Sequence, residues 1–230
     1  MSRGPDFKVE TLACEKLMSL ERNGKAFNLP LFSELSKEDV VEAKQRYLIA
    51  GVDEAGRGPL AGPVVTAAVI LNNKNVPNTL NDSKKLSAIQ REKLFKALIT
   101  KHHIGVAWAT PLRIDEMNIR AATLWAMTQA VKALPLRPDG VLIDGRDVPS
   151  GLPSPAGAVI KGDTLSKSIA AASIVAKVMR DRMMQTCAQD APGYGLDVHM
   201  GYGTEMHRHA IVKHGGSRHH RQSFRPLKDL

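Results

Sequence analysis

Apolar positions along this chain fall into two periods, and the switches between them mark out the elements. Residues 47–53 (YLIAGVD) and 64–71 (VVTAAVIL) are β-branched and apolar runs bounded by glycine and asparagine, which predicts two strands. Ser87 caps a predicted helix reaching about His102, with Ile89, Leu94, Leu98 and Ile99 as its apolar stripe. A third strand is predicted over 104–110. From Pro111 the spacing of Ile114, Met117, Ala121, Leu124, Trp125 and Val131 predicts one long amphipathic helix to about Leu134. Val141 to Ile143 form a short buried strand ending at Asp144, and Ala158 to Ile160 another leading into Lys161, Gly162 and Asp163. Residues 165–188 read as a strong helix whose alanine and serine face is small enough to lie close on a sheet, and a last helix is expected over 204–213.

A strand pair followed by alternating helices and strands predicts an α/β fold: a mixed central sheet flanked by helices, with a C-terminal helical region. Residues 1–46 show no sustained period and are expected to be an extension, pinned to the core by Leu29, Pro30, Leu31 and Phe32; residues 47–230 form the main domain. Trp108 and Trp125 are expected in the core.

Charge narrows the function. Thirty-two Lys and Arg against 23 Asp and Glu give a net charge of +9, which favours an anionic partner such as nucleic acid. Cys14 and Cys187 lie far apart with no CxxC spacing, which fits a reducing compartment. The first residues lack the apolar stretch of a signal peptide, and no run is long and apolar enough to span a membrane, so the expected setting is cytoplasmic. Aromatic content of 4% argues against a stacking platform for single strands.

Against this basic background, acids stand where strands end: Asp53 with Glu54, Asp144, and Asp163 near a helix N-terminus. Open α/β sheets place ligands beyond the carboxyl ends of their strands, and an all-oxygen donor set suits Mg²⁺ or Mn²⁺. Two such ions clamp a phosphodiester. Neighbours on a regular strand point to opposite faces, so Asp53 and Glu54 share a metal only if the strand bends, which the following glycines permit; otherwise Glu54 acts through its carbonyl or on the other side. The intervening turn holds Gly56, Gly58 and Gly62, which allow close approach of a ligand, and one arginine, Arg57, expected to be buried.

These residues resemble ribonuclease HII. The shared motifs are DEAGRGPLAGPVV at 53–65, DSKKLS at 82–87, IDG at 143–145, KGD at 161–163, the helix SIAAASIVAKVMRD at 168–181, and GYG at 201–203 with the following His207. The resemblance implies an RNase H-like fold and a metal-dependent endonuclease. Such an enzyme cuts the RNA strand of RNA/DNA hybrids and incises 5′ of single ribonucleotides in duplex DNA, leaving 3′-hydroxyl and 5′-phosphate ends. It implies Asp53, Glu54, Asp144 and Asp163 as the catalytic, metal-binding set, with two Mn²⁺ or Mg²⁺ ions. It also implies that Gly56, Arg57 and Gly58 sense the 2′-hydroxyl and that Tyr202 stacks on the sugar beyond the junction. The protein is expected to act as a monomer in ribonucleotide removal and RNA primer processing. Met200 departs from the family, which commonly has a lysine there. The sister family, ribonuclease HIII, usually carries a larger N-terminal domain and a glutamate at the last acidic site, where this chain has Asp163.

Lys84 and Lys161 are expected to hold substrate phosphates, as are Lys85 and Lys167. Six of the eight histidines fall between His199 and His220; their spacing matches no zinc pattern, and surface or phosphate contact is expected of them. Two other classes remain open from the residues alone: a non-catalytic nucleic-acid-binding protein with structural acids, and a phosphotransferase, for which GxxxxGK[ST] is missing.

Overall fold

The computed structural model describes residues 9–10, 12–13, 47–80 and 86–229. Five strands make one sheet: β1 (Ile49–Ala55), β2 (Val64–Ile70), β3 (His103–Ala109), β4 (Gly140–Asp144) and β5 (Ala156–Val159), in the order β3-β2-β1-β4-β5. The pairs β1–β2 and β2–β3 are antiparallel, whereas β1–β4 and β4–β5 are parallel, so the sheet is mixed as expected.

Helices cover both faces. On one lie α1 (Ala88–Lys101) and α5 (Lys167–Asp190), where Leu94, Phe95 and Leu98 meet Ala67, Val69 and the alanines of α5. On the other lies α3 (Ile119–Lys132), whose Met127, Ala130 and Val131 pack on Ala50, Val52, Ile70 and Ile143. The remaining helices are α2 (Pro111–Met117), α4 (Gly162–Leu165), α6 (Leu196–His199) and α7 (Glu205–His214). A C-terminal cluster of Tyr194, Leu196, Ala210, Ile211 and Leu227 closes on Leu60, Ala61 and Met184. Among the described residues no helix is long and apolar enough to cross a membrane.

The contact that sets the architecture is α5 on β1. Gly51 lies so near the start of α5 that a Cβ would come within 2.2 Å of the Ser168 carbonyl carbon, so only glycine fits there. Ala170, Ala171, Ala172 and Ala176 are fully buried along the same helix. Small residues on both elements are what allow this close approach.

Several expectations are corrected. The helix expected over 111–134 is two helices, because Asn118 takes φ +68° and caps α3 by accepting from the Ala121 N–H at 3.0 Å; asparagine tolerates that backbone better than most residues. The stripe of α1 buries Leu94, Phe95 and Leu98, while Ile89 and Ile99 are exposed, since the helix faces the sheet over a narrower arc. Trp108 is 47% exposed because β3 is an edge strand; Trp125 is half-buried, with the Arg113 guanidinium 4.0 Å from its ring centroid. Cys14 and the apolar group at 29–32 lie outside the described residues.

Part of the N-terminal region does contribute to the core. Val9 and Ala13 pack with Ile49, Leu142, Val159 and Ile169. Glu10 is buried at the start of α5, where its Oε1 accepts from Ser166 Oγ (2.6 Å), Ser168 N–H (2.9 Å) and Ser168 Oγ (2.7 Å). Burial pushes the Glu10 carboxyl above its ordinary value of 4.5, the serine hydrogen bonds offsetting this in part. Replacing Glu10 by Ala should cost about 1–3 kcal/mol by stranding these donors, read as a lowered urea midpoint. Because the folded pKa is raised, the stabilisation is fullest below the unfolded value and is lost as pH rises through the folded one. The stability margin of wild type over Glu10→Gln should therefore shrink as pH rises above the ordinary carboxyl value of 4.5.

Candidate active site

Strand β1 keeps regular register to its end, Asp53 opposite Ala67, Glu54 opposite Thr66 and Ala55 opposite Val65. The strand does not bend after Asp53, so the two carboxylates go to opposite faces. Asp53 is buried toward α5, where Ser173 hydrogen-bonds it, and its Oδ1 accepts from the Glu54 N–H at 2.7 Å. Glu54 emerges on the α3 side. There it lines a cleft of about 40 Å³ together with Arg57, Arg120, Thr123, Asp144 and Asp147, its Oε1 3.5 Å from the Arg57 guanidinium.

Asp144 ends β4, the parallel neighbour of β1. Its Oδ1 accepts from the Gly162 N–H at 2.7 Å, tying the strand to α4 and to the next residue, Asp163, which is buried. A Cβ on Gly162 would lie 2.5 Å from Ile169 and 3.2 Å from Asp144 Oδ1, so glycine is required at this contact. The Asp53 carboxyl is held well above the usual carboxylate range, first by burial and then by the charges of Glu54 and Asp144; Ser173 and the Glu54 N–H oppose this. Negative charge thus accumulates in a poorly solvated place, a condition that a cation relieves. The donors are all carboxylate oxygens, which suit a hard divalent cation. Among the described residues no group of three or more Asp, Glu, His or Cys side chains is already drawn together around one ion position, in keeping with Glu54 pointing away from Asp53.

The glycine turn lies beside these acids. Arg57, expected to be buried, is exposed, and so is Gly58. Tyr202, 49% exposed, faces them, its Cε1 4.0 Å from where a Gly58 Cβ would stand. Two other arginines fill the interior behind the turn. Arg221 donates through Nη1 to the Arg57 carbonyl (2.8 Å), through Nη2 to those of Gly56 (2.5 Å) and Gly62 (2.9 Å), and through Nε to Gly62 (3.0 Å). Arg180 donates to the carbonyls of Pro63 (3.1 Å), Ala61 (3.2 Å) and Met200 (3.0 Å). Gly56, at φ +95°, rests against Arg180 so closely that a Cβ would fall 1.9 Å from its Nε. Burial lowers the pKa of both guanidiniums, that of Arg221 to about 9 with the Arg180 charge as second cause; both stay cationic at neutral pH.

Neither arginine was assigned from sequence. Arg180 carried a signal, since it follows Ala172 and Ala176 at helical spacing on the buried face of α5. Arg221 sits in irregular chain and carried none. Lys161 is exposed at the left-handed residue before α4, and Lys167 opens α5. Lys84 and Lys85 lie outside the described residues. Of the histidines expected at the surface, His199, His207 and His220 are buried, the His199 ring stacked on that of His207 and the His220 ring tilted against it.

Comparison with known proteins identifies the family and the fold. The family model described as Ribonuclease HII matches residues 50–227. The Ribonuclease HII of Rhizobium etli is 52% identical over 199 residues, covering 86% of this chain and 87% of its own length. That of Brucella canis is 50% identical over 204 residues, covering 88% and 93%. Among solved structures, the ribonuclease H2 of Pyrococcus horikoshii superposes with a TM-score of 0.68 at 29% identity, over 79% of this chain and 95% of that one. The RNase HII of Archaeoglobus fulgidus, solved as a complex with PCNA, gives a TM-score of 0.66 at 26% identity, over 80% of this chain and all of that one. With a family model spanning most of its length and relatives at half identity, this chain, an RNase H-like fold with acids at the ends of its central strands, belongs to the ribonuclease HII family of metal-dependent endoribonucleases.

Proposed function

We propose that this protein hydrolyses the RNA strand of RNA/DNA hybrids and nicks duplex DNA 5′ of a single embedded ribonucleotide, leaving 3′-hydroxyl and 5′-phosphate ends. The observation that carries this reading is the placement of Asp53, Glu54 and Asp144 at the ends of the adjacent parallel strands β1 and β4, beside a glycine turn faced by Tyr202. Asp53 and Asp144, with Glu54 and Asp163 at the flanks, would hold Mg²⁺ or Mn²⁺. When bound, two such ions supply Lewis-acid charge and an activated water for phosphodiester hydrolysis. Asp53 is the central member of this set, because its carboxyl feels both neighbouring acids.

The protein's own groups do the recognition. The main chain of Gly56, Arg57 and Gly58 meets the 2′-hydroxyl, the group by which RNA differs from DNA. With three carbonyls of residues 56, 57 and 62 engaged by Arg221, this backbone is preorganised and spends no binding energy on ordering. Tyr202 stacks on the sugar beyond the ribonucleotide and checks that it is deoxyribose. Lys161, Lys84 and the exposed Arg57 contact phosphates, which position the duplex without reading its sequence. Residues 47–230 form the catalytic unit. The protein works as a cytoplasmic monomer, in ribonucleotide removal and RNA primer processing.

Incubated with duplex DNA bearing one ribonucleotide, the protein should give a nick 5′ to that residue with Mg²⁺ or Mn²⁺, none with chelator and none in all-DNA duplex. Binding without a nick in either metal would favour a non-catalytic role. Asp53→Asn should lower kcat by at least about a thousand-fold, ~4 kcal/mol of barrier, while hybrid binding measured by fluorescence anisotropy is kept. Tyr202→Ala should reduce cutting at a single ribonucleotide by about ten-fold more than cutting of continuous RNA in a hybrid, since one stacked base or sugar is worth ~1–3 kcal/mol. Equal losses on the two substrates would remove the junction-sensing role.

A further inference from the structure

Behind Tyr202 runs a chain of hydrogen bonds whose proton positions are dictated by backbone groups at its two ends. His207 Nδ1 lies 2.9 Å from the Tyr202 carbonyl, which can only accept, so Nδ1 carries the proton. In the neutral ring His207 Nε2 is then an acceptor, and its partner at 3.0 Å, His220 Nε2, must donate. That leaves His220 Nδ1 as the acceptor, and it receives the Ser217 N–H at 3.0 Å. Every nitrogen has one role and no alternative. Burial disfavours the charged form of both rings: it lowers the pKa of His207, and that of His220 to about 4.

The far end of this relay is fixed to the glycine turn. His220 forms a β-bridge with Ala61. On either side of it, the Gly62 N–H donates to the His219 carbonyl (2.8 Å) and the Arg221 N–H donates to the Leu60 carbonyl (2.9 Å). The Arg221 side chain then grips the carbonyls of Gly56, Arg57 and Gly62. At the near end the Leu60 N–H donates to the Gly201 carbonyl at 2.8 Å, and the His199 ring stacks on His207 with centroids 4.3 Å apart. The backbone of Tyr202 is therefore braced against the same short segment, 60–62, that carries the glycine turn.

We propose that His207 and His220 are positioning residues: they hold Tyr202 in register with the glycine turn and so set the preference for a single ribonucleotide at an RNA–DNA junction over continuous RNA. The inference rests on the function proposed above. Neither histidine touches the nucleic acid; both act through the Tyr202 carbonyl.

The test is a double-mutant cycle read as kcat and KM on two substrates, a duplex with one ribonucleotide and a continuous hybrid, for wild type, His220→Leu, His220→Gln, Tyr202→Ala and the His220→Leu/Tyr202→Ala pair. His220→Leu should lower kcat on the single-ribonucleotide duplex by on the order of ten- to hundred-fold, the scale of a misplaced positioning group, with a clearly smaller loss on the hybrid. His220→Gln, whose terminal amide can still donate to His207 Nε2, should regain most of this. In the Tyr202→Ala background, His220→Leu should add no further substrate bias. If His220→Leu does not fold, His220→Asn replaces it, keeping an acceptor for the Ser217 N–H without reaching His207. Equal losses on both substrates, or a bias that persists undiminished without the tyrosine, would overturn the inference while leaving the function intact. A wild-type protein that makes no nick at the single ribonucleotide would overturn that function, and this inference with it.

Discussion

The close seating of α5 on β1 is the constraint from which the rest follows. It depends on the absence of a side chain at Gly51 and on the alanines of the helix. Because the two backbones touch, Asp53 is buried beside α5, with Ser173 as a hydrogen-bond partner. The same helix, extended over 24 residues, carries Arg180 to the back of the glycine turn at one end and presents Ser166 and Ser168 to Glu10 at the other. One packing decision thus places an acid and a cation and docks part of the N-terminal region.

Charge is distributed in an unusual order for so basic a chain. Asp53, Glu54 and Asp144 stand at the carboxyl ends of β1 and β4 with Asp163 just beyond β5, and two arginines are buried directly behind the turn that adjoins them. A buried guanidinium is costly unless its donors are satisfied. Here Arg221 and Arg180 meet that demand with main-chain carbonyls of the turn and not with carboxylates, so their full charge remains beside the site. The result is a rigid recognition backbone with a positive interior next to a negative centre, suited to an anionic substrate held close to divalent cations.

The regular register of β1 gives the acid pair a division of labour. Asp53 faces α5 and is buried; Glu54 faces the α3 side and opens onto the cleft with Asp144. Neighbouring carboxylates on one strand are therefore served by two different faces of the sheet, and Asp144, at the end of the adjacent strand, is the residue common to both surroundings. Gly162 links this centre to Asp163 through its hydrogen bond to Asp144.

Local sequence determined a great deal: the strands over 47–53 and 64–71, the cap at Ser87, the small-residue face of α5, the acids at strand ends and the family motifs. These features are written in composition and period, which are properties of neighbouring residues. It could not fix the break at Asn118, where one positive φ ended a helix that apolar spacing alone would have continued. Nor could it tell which arginine was buried. Arg57 stood in the motif but turned to solvent, while Arg221, about 160 residues away, supplied the interior cation. The histidines near the C-terminus looked like surface groups because their partners, Tyr202, Ser217 and the glycine turn, are brought together only when the chain closes on segment 60–62. Periodicity reports which face of an element is covered; hydrogen bonds between irregular segments distant in sequence have no period, so only the tertiary structure decides them.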